Sequence, residues 1–349
     1  MRLLIVRLSS LGDCVHTIPV AAALRRRFPD ADLDWLVDTR YRELIELVPA
    51  VTRAVTVDSG SLNRFTRVIQ LVRDLRRRSY DVVIDAQGLW KSAVIARLCG
   101  ARRVVGFGSN QVREWGATWL YTDTVTTPAA LHVIEKNLAL AVHLGAESGV
   151  PAFPVAEVTS DAPARARLAL GIDATASFAI LNPGAAWSSK CWIPASYGAL
   201  ARRLRDRHAL RSTVTWGPGE KELAGAVVEA SDGAAALAPA TSVADLVALM
   251  RAAAIVVGGD TGPFHIAAAV GTPVVGLYGP SDPARNGPWG PNDLVVSRFD
   301  RCGCRKVRGG FQGVVVRRCV QSTPCLADVT TNAVADAVAR RLASVQAHA

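Results

Sequence analysis

The chain has 349 residues, half of them hydrophobic, a length that suits two domains of ordinary size and a composition that excludes a disordered chain. Its formal charge of +10, from 40 basic and 30 acidic residues, points weakly to an anionic partner, and residues 1–150 hold half of each set, which excludes a basic tail or a basic domain. Met1–Val6 reads as a strand rather than a secretory leader, and no apolar span of membrane length runs free of Pro and Gly clusters. The odd cysteine count, seven, fits a reducing compartment better than a disulfide scaffold. The expectation is a cytoplasmic protein.

In chain order, short apolar runs alternate with amphipathic stretches. The first half has strand candidates at Leu3–Val6, Leu33–Val37, Ala54–Val57, Val82–Ile84 and Val104–Val105. Between them Arg64–Arg78 is a predicted helix, with Phe65, Val68, Leu71, Val72 and Leu75 on one face. The second half repeats the pattern at Phe178–Leu181, Thr213–Trp216, Ile255–Val257 and Val274–Leu277. Such alternation predicts an α/β protein of two doubly wound domains with a cleft between them. Pro151, Pro154 and Pro163 mark the join, so residues 1–160 and 161–327 are the expected domains, and 328–349 a final helix.

Polar motifs follow the strands, where open parallel sheets bind ligands. After the first comes Arg7-Leu8-Ser9-Ser10-Leu11-Gly12-Asp13. Gly12 is read as easing a tight turn. Asp13 has two readings: a capping aspartate at a helix start, or a general base for an incoming hydroxyl. After Val82–Ile84 comes Asp85 to Ser92, in which Lys91 is either an anion contact or a solvated lysine; Arg113 in a later loop is equally ambiguous. In the second half, Asn182 to Trp192 leaves a strand through a Pro-Gly turn, and Lys190 there suits the charge of a departing diphosphate. Glu220, after Trp216-Gly217-Pro218-Gly219, is either a ribose contact or an ordinary helix-start acid. The richest segment is Val257 to His265. Pro263 opens a helix after Asp260-Thr261-Gly262, so the amides of Thr261 and Gly262 offer a phosphate site. Asp260 repels phosphate but suits sugar hydroxyls, and His265 is expected beneath the turn.

Other signals are weak. Gly106-Phe107-Gly108 lacks the rest of a dinucleotide fingerprint. Asp32-Leu33-Asp34 is read as the polar entrance of a strand rather than a metal motif. Cys302, Cys304, Cys319 and Cys325 have no zinc spacing, and His16, His132 and His265 form no triad with a serine. Basic clusters occur at Arg25–Arg27, Arg76–Arg78 and Arg102–Arg103, without any nucleic-acid-binding motif.

Taken together, the segments Val6 to Asp13, Asp85 to Ser92, Asn182 to Trp192, Gly259 to His265 and Tyr278 to Pro283 resemble glycosyltransferase family 9, the lipopolysaccharide heptosyltransferases. The resemblance spans essentially the whole chain. It implies a GT-B fold whose final helix crosses back to the first domain. It also implies a metal-independent, cofactor-free, inverting transfer of heptose from ADP-heptose to the Kdo of lipid A. By position it makes Asp13 the base. Lys190, Thr261 and Gly262 become diphosphate contacts, Asp260 the sugar contact and Glu220 the ribose contact. Ser10, Gly12, Lys91 and Arg113 fall on the acceptor side. Some members carry two hydroxyl residues where this chain has Ala185 and Ala186, so Ser188 or Ser189 is the expected substitute. The arginine clusters then read as docking points for an anionic membrane surface on its cytoplasmic face. The alternatives are another GT-B nucleotide-sugar transferase, or a silent sugar-nucleotide-binding protein.

Overall fold

Runs such as Leu3–Val6, Val82–Ile84, Phe178–Leu181 and Ile255–Val257 are apolar without alternation, as strands covered on both faces must be, and all are buried. Each sits centrally in a parallel sheet of the computed structural model, which describes residues 1–63, 65–112, 114–302, 319 and 324–346. The chain forms two compact units, Met1–Glu157 and Val158–Ala349.

The first unit holds β1 (Arg2–Val6), β2 (Asp32–Asp38), β3 (Arg53–Val57), β4 (Val82–Asp85), β5 (Arg103–Phe107) and β6 (Asp123–Val125). Their order is β3-β2-β1-β4-β5-β6, all parallel. The chain winds outward in one direction from β1 and in the other from β4, so the reversal lies between these two strands. The second unit holds β7 (Phe178–Asn182), β8 (Arg211–Val214), β9 (Ala235–Leu237), β10 (Ile255–Gly259), β11 (Val274–Tyr278) and β12 (Leu294–Ser297). Their order, β12-β11-β10-β7-β8-β9, repeats the same topology with its reversal between β7 and β10.

The structure adds three strands to those expected. β6, β9 and β12 are short edge strands with half-exposed residues; β6 has no apolar run, β9 is mostly alanine, a poor strand former, and β12 carries only the short run Leu294–Val296. The expected strand at Thr213–Trp216 instead spans Arg211–Val214, because the chain leaves the sheet at Thr215 and turns Trp216 so that its indole N–H bonds Ala238 O at 3.0 Å. The helix expected at Arg64–Arg78 spans Phe65–Arg76. Asp34 is not a strand entrance: it is buried and takes hydrogen bonds from Arg53 and Tyr80, both at 2.6 Å. Gly12 serves no turn, being the buried second residue of the helix Leu11–Val15.

The final helix, Thr331–Gln346, packs against the helix Pro194–His208 and strands β11 and β12, and gives Val334, Ala337 and Val338 to the core of the second unit. Two polar ties anchor that end of the chain: the Trp192 indole bonds Val329 O at 2.9 Å, and Arg341 pairs with buried Asp293 at 3.2 Å.

Candidate functional site

In each unit the chemistry-bearing side chains gather at the carboxyl edge of the sheet, where the winding reverses. In the first unit, β1 delivers the chain to Ser10 and the helix Leu11–Val15. The Asp13 carboxylate reaches back to accept the Ser10 N–H and hydroxyl, each at 3.0 Å. Its other oxygen meets the Arg7 guanidinium at 2.7 Å, with the Asp13 side chain one-third exposed (33%) and Arg7 buried. The carboxylate is therefore both held and accessible, as a general base requires. Arg7 also donates to Ala86 O, the first carbonyl after β4, so the guanidinium ties the two central strand ends together. Gln87 reinforces that tie by accepting the Leu8 N–H at 2.9 Å. Neither Arg7 nor Gln87 was singled out as functional from the sequence, although both lie inside the motifs. Lys91, on the first turn of the helix Trp90–Leu98, is exposed. Arg113 lies outside the described residues.

Beneath this edge Asp85 is wholly buried, accepting from Tyr121 and Ser92 at 2.8 Å each and from the amides of Gln87 and Gly88. Burial pushes its carboxyl up against the pull of those four hydrogen bonds. Asp85 thus organises the turn that leads into the helix carrying Lys91.

In the second unit, Lys190, Glu220 and Asp260 follow β7, β8 and β10. Gly258 and Gly259 are still in β10; a Cβ on Gly258 would come within 3.1 Å of the Asn182 Cβ, a tight contact that would press on β7. The helix Gly262–Ala269 starts immediately beyond. Its first internal hydrogen bond runs from His265 N–H to Thr261 O at 3.1 Å, which leaves the Gly262 and Phe264 amides ahead of it without an acceptor inside the helix. Pro263 has no N–H to satisfy.

Asp260 is the hub. Its side chain is only 9% exposed and pairs with Lys190 Nζ at 2.5 Å. Its other oxygen meets His265 Nε2 at 3.0 Å and Asn286 Nδ2 at 2.6 Å. Burial alone would raise its carboxyl; the His265 hydrogen bond and the Lys190 charge overcome burial and hold it well below the usual carboxylate range. His265, expected beneath the turn, is buried there. Asn286 was missed, and nothing in its immediate sequence signals the contact.

Lys190 closes the short 3-10 turn Ser188–Lys190, with its ammonium 5.7 Å from the centre of the Trp187 ring. Ser188 is exposed and Ser189 buried. The Glu220 carboxylate accepts the Gly217 N–H at 2.9 Å and lies against Gly184, where a Cβ would run into it. Glu220 therefore bridges the loops after β7 and β8.

The arginine clusters sit elsewhere. Arg25–Arg27 and Arg76 end helices, and Arg103 begins β5, so they lie at the amino edge of the first sheet, away from Asp13. Part of that charge is structural: Arg25 bonds the carbonyls of Ala50, Pro29 and Ala31, and Arg76 that of Leu98. Among the described residues no group of three or more His, Cys, Asp or Glu is placed to hold a metal ion, and no helix is long and apolar enough to cross a membrane. Cys302 is a buried free thiol, and Cys304 lies outside the described residues.

Residues 68–309 match the family model described as glycosyltransferase family 9 (heptosyltransferase). Lipopolysaccharide heptosyltransferase 1 of Pseudomonas aeruginosa is 30% identical over 327 residues, covering 89% of this chain and 88% of that protein. Among solved structures, E. coli heptosyltransferase WaaC with ADP superposes with a TM-score of 0.77 at 23% identity, covering 98% of this chain and all of that one. WaaC with ADP-2-deoxy-2-fluoro heptose gives 0.74 at 25% identity, covering 97% of this chain and 99% of that one.

Proposed function

The chain belongs to glycosyltransferase family 9, and from that premise we propose that it transfers heptose from ADP-heptose to the Kdo of lipid A, with inversion and without a metal. The observation that carries this reading is the Lys190–Asp260 pair beside the start of the helix Gly262–Ala269. It sets a cation and free amides, which suit a diphosphate, next to a carboxylate, which suits sugar hydroxyls. ADP and ADP-2-deoxy-2-fluoro heptose, the molecules accompanying WaaC in its two structures, carry both features.

In this reading the second unit takes the donor. Lys190, Thr261, Gly262 and Ser188 or Ser189 meet the diphosphate, Glu220 the ribose, and Asp260 and His265 the heptose. The first unit takes the acceptor, with Ser10, Gly12, Lys91 and Arg113 on that side. Asp13 accepts the proton of a Kdo hydroxyl while that oxygen bonds to the anomeric carbon. The bond to ADP breaks on the opposite face, and Lys190 with the helix amides receives the negative charge. A base placed in this way contributes about 10²–10⁴-fold. The arginine-rich edge of the first unit would rest on an anionic membrane surface, which suits a lipid-borne acceptor.

A thermal-shift screen of ADP, UDP, GDP and CDP tests the donor assignment. ADP at 100 times its dissociation constant should add about 2.7 kcal/mol of stability. A larger shift with another nucleotide would overturn the assignment.

A further inference from the structure

We propose that Asn286 is a positioning residue for the donor sugar, orienting the Asp260 carboxylate that receives a sugar hydroxyl; this rests on the donor reading above. A carboxylate oxygen accepts about two hydrogen bonds. Oδ1 of Asp260 already has two donors, Asn286 Nδ2 at 2.6 Å and His265 Nε2 at 3.0 Å. Oδ2 has Lys190 at 2.5 Å and, among the described residues, one acceptor position left. The oxygen open to a sugar hydroxyl is therefore the one that also touches the cation suited to the diphosphate.

Asn286 comes from the four-residue helix Pro283–Asn286, beyond β11, and its main chain is fixed on several sides. The Asp282 carboxylate caps the helix by accepting the Ala284 N–H at 3.0 Å. Asn286 N–H bonds Asp282 O at 3.2 Å, and Asn286 O accepts the buried Tyr278 hydroxyl at 3.0 Å. A Cβ at Gly287 would come within 2.5 Å of Pro283 O, so the chain turns tightly there. None of these contacts uses the Asn286 side chain, which is left to serve Asp260. Its amide is neutral. Unlike Lys190, it orients the carboxylate without cancelling its charge, which remains available to a sugar hydroxyl.

The test measures ADP and ADP-heptose binding by calorimetry for wild type, Asn286→Ala and Asn286→Asp. Asn286→Ala should leave ADP affinity within about twofold and weaken ADP-heptose about tenfold, the lower end of the range for a hydrogen bond to a charged group. Asn286→Asp sets a second carboxylate against Asp260, amid Lys190, His265 and Tyr278 and next in sequence to Arg285. Its ADP-heptose binding should be weaker than that of Asn286→Ala near neutral pH. It should recover as pH falls toward about 5, where the two carboxylates share a proton. A merely structural role would lower ADP and ADP-heptose affinity together, without that recovery, and would overturn the proposal. So would an affinity ratio that neither variant changes. A wild type that binds neither ligand would overturn the donor reading itself.

Discussion

Lys190→Ala should be costly twice, in stability and in donor binding, because the lysine has a buried partner. Asp260 is 9% exposed, and removing Lys190 leaves its charge with two donors instead of three. Breaking a buried pair outright costs about 3–5 kcal/mol. The remaining bonds from His265 and Asn286 bring the expected loss to about 2 kcal/mol, typical of one hydrogen bond to a charged group. For a unit of this size that lowers Tm by roughly 4–8 °C. The pH dependence gives an independent check. The folded-state carboxyl of Asp260 lies below its unfolded value of about 3.9, so its stabilisation is complete above that value and is lost as pH falls through the folded one. Without Lys190, burial regains weight and the folded value rises. The stability gap between wild type and variant should then be flat from about pH 8 to 6 and narrow toward about pH 4. ADP affinity should fall in the same variant, measured by calorimetry. A Tm change below about 1 °C with ADP affinity unchanged would refute both the ion pair and the diphosphate role.

Arg7→Lys should keep a charge beside Asp13 but lose the forked contact that also reaches Ala86. It should therefore cut turnover less than Arg7→Ala, which removes both; equal activity in the two variants would deny Arg7 any part in holding Asp13. Gly184→Ala puts a methyl group where the Glu220 carboxylate lies, so ADP affinity should fall about tenfold with little loss of thermal stability, and unchanged affinity would remove Glu220 from the ribose site. Binding to anionic vesicles should weaken steeply with salt and with charge reversal at Arg76–Arg78, and sedimentation indifferent to both would rule out docking through the arginine edge.

The central strands were legible because the middle of a strand covered on both faces is apolar without alternation, as Leu3–Val6, Val82–Ile84, Phe178–Leu181 and Ile255–Val257 are. Edge strands β6 and β9 were not, since Asp123-Thr124-Val125 has no such run and β9 is mostly alanine, and the short Leu294–Val296 run of β12 was passed over. The segments that bear Asp13, Lys190 and Asp260 stood out because turn and helix-start chemistry follows a strand directly. Their partners are a different matter. Arg7 meets Asp13 only because the chain doubles back at Ser10. Asn286 meets Asp260 only because β11 and its turn return the chain after 26 residues. Asp34 shows the same limit: near the amino end of its strand it reads as a polar entrance until Arg53 and Tyr80, 19 and 46 residues away, close over it.

Heptosyl transfer itself is the most direct test. Purified protein would be mixed with ADP-heptose and Kdo-bearing lipid A, with ADP release followed over time and the anomeric configuration of the product read by NMR. Wild type should release ADP as it attaches one heptose with inverted configuration, with EDTA making no difference. Asp13→Asn should bind ADP normally yet turn over about 10²–10⁴-fold more slowly. Retained configuration, or an asparagine variant that works at the wild-type rate, would contradict Asp13 as the base of an inverting transfer.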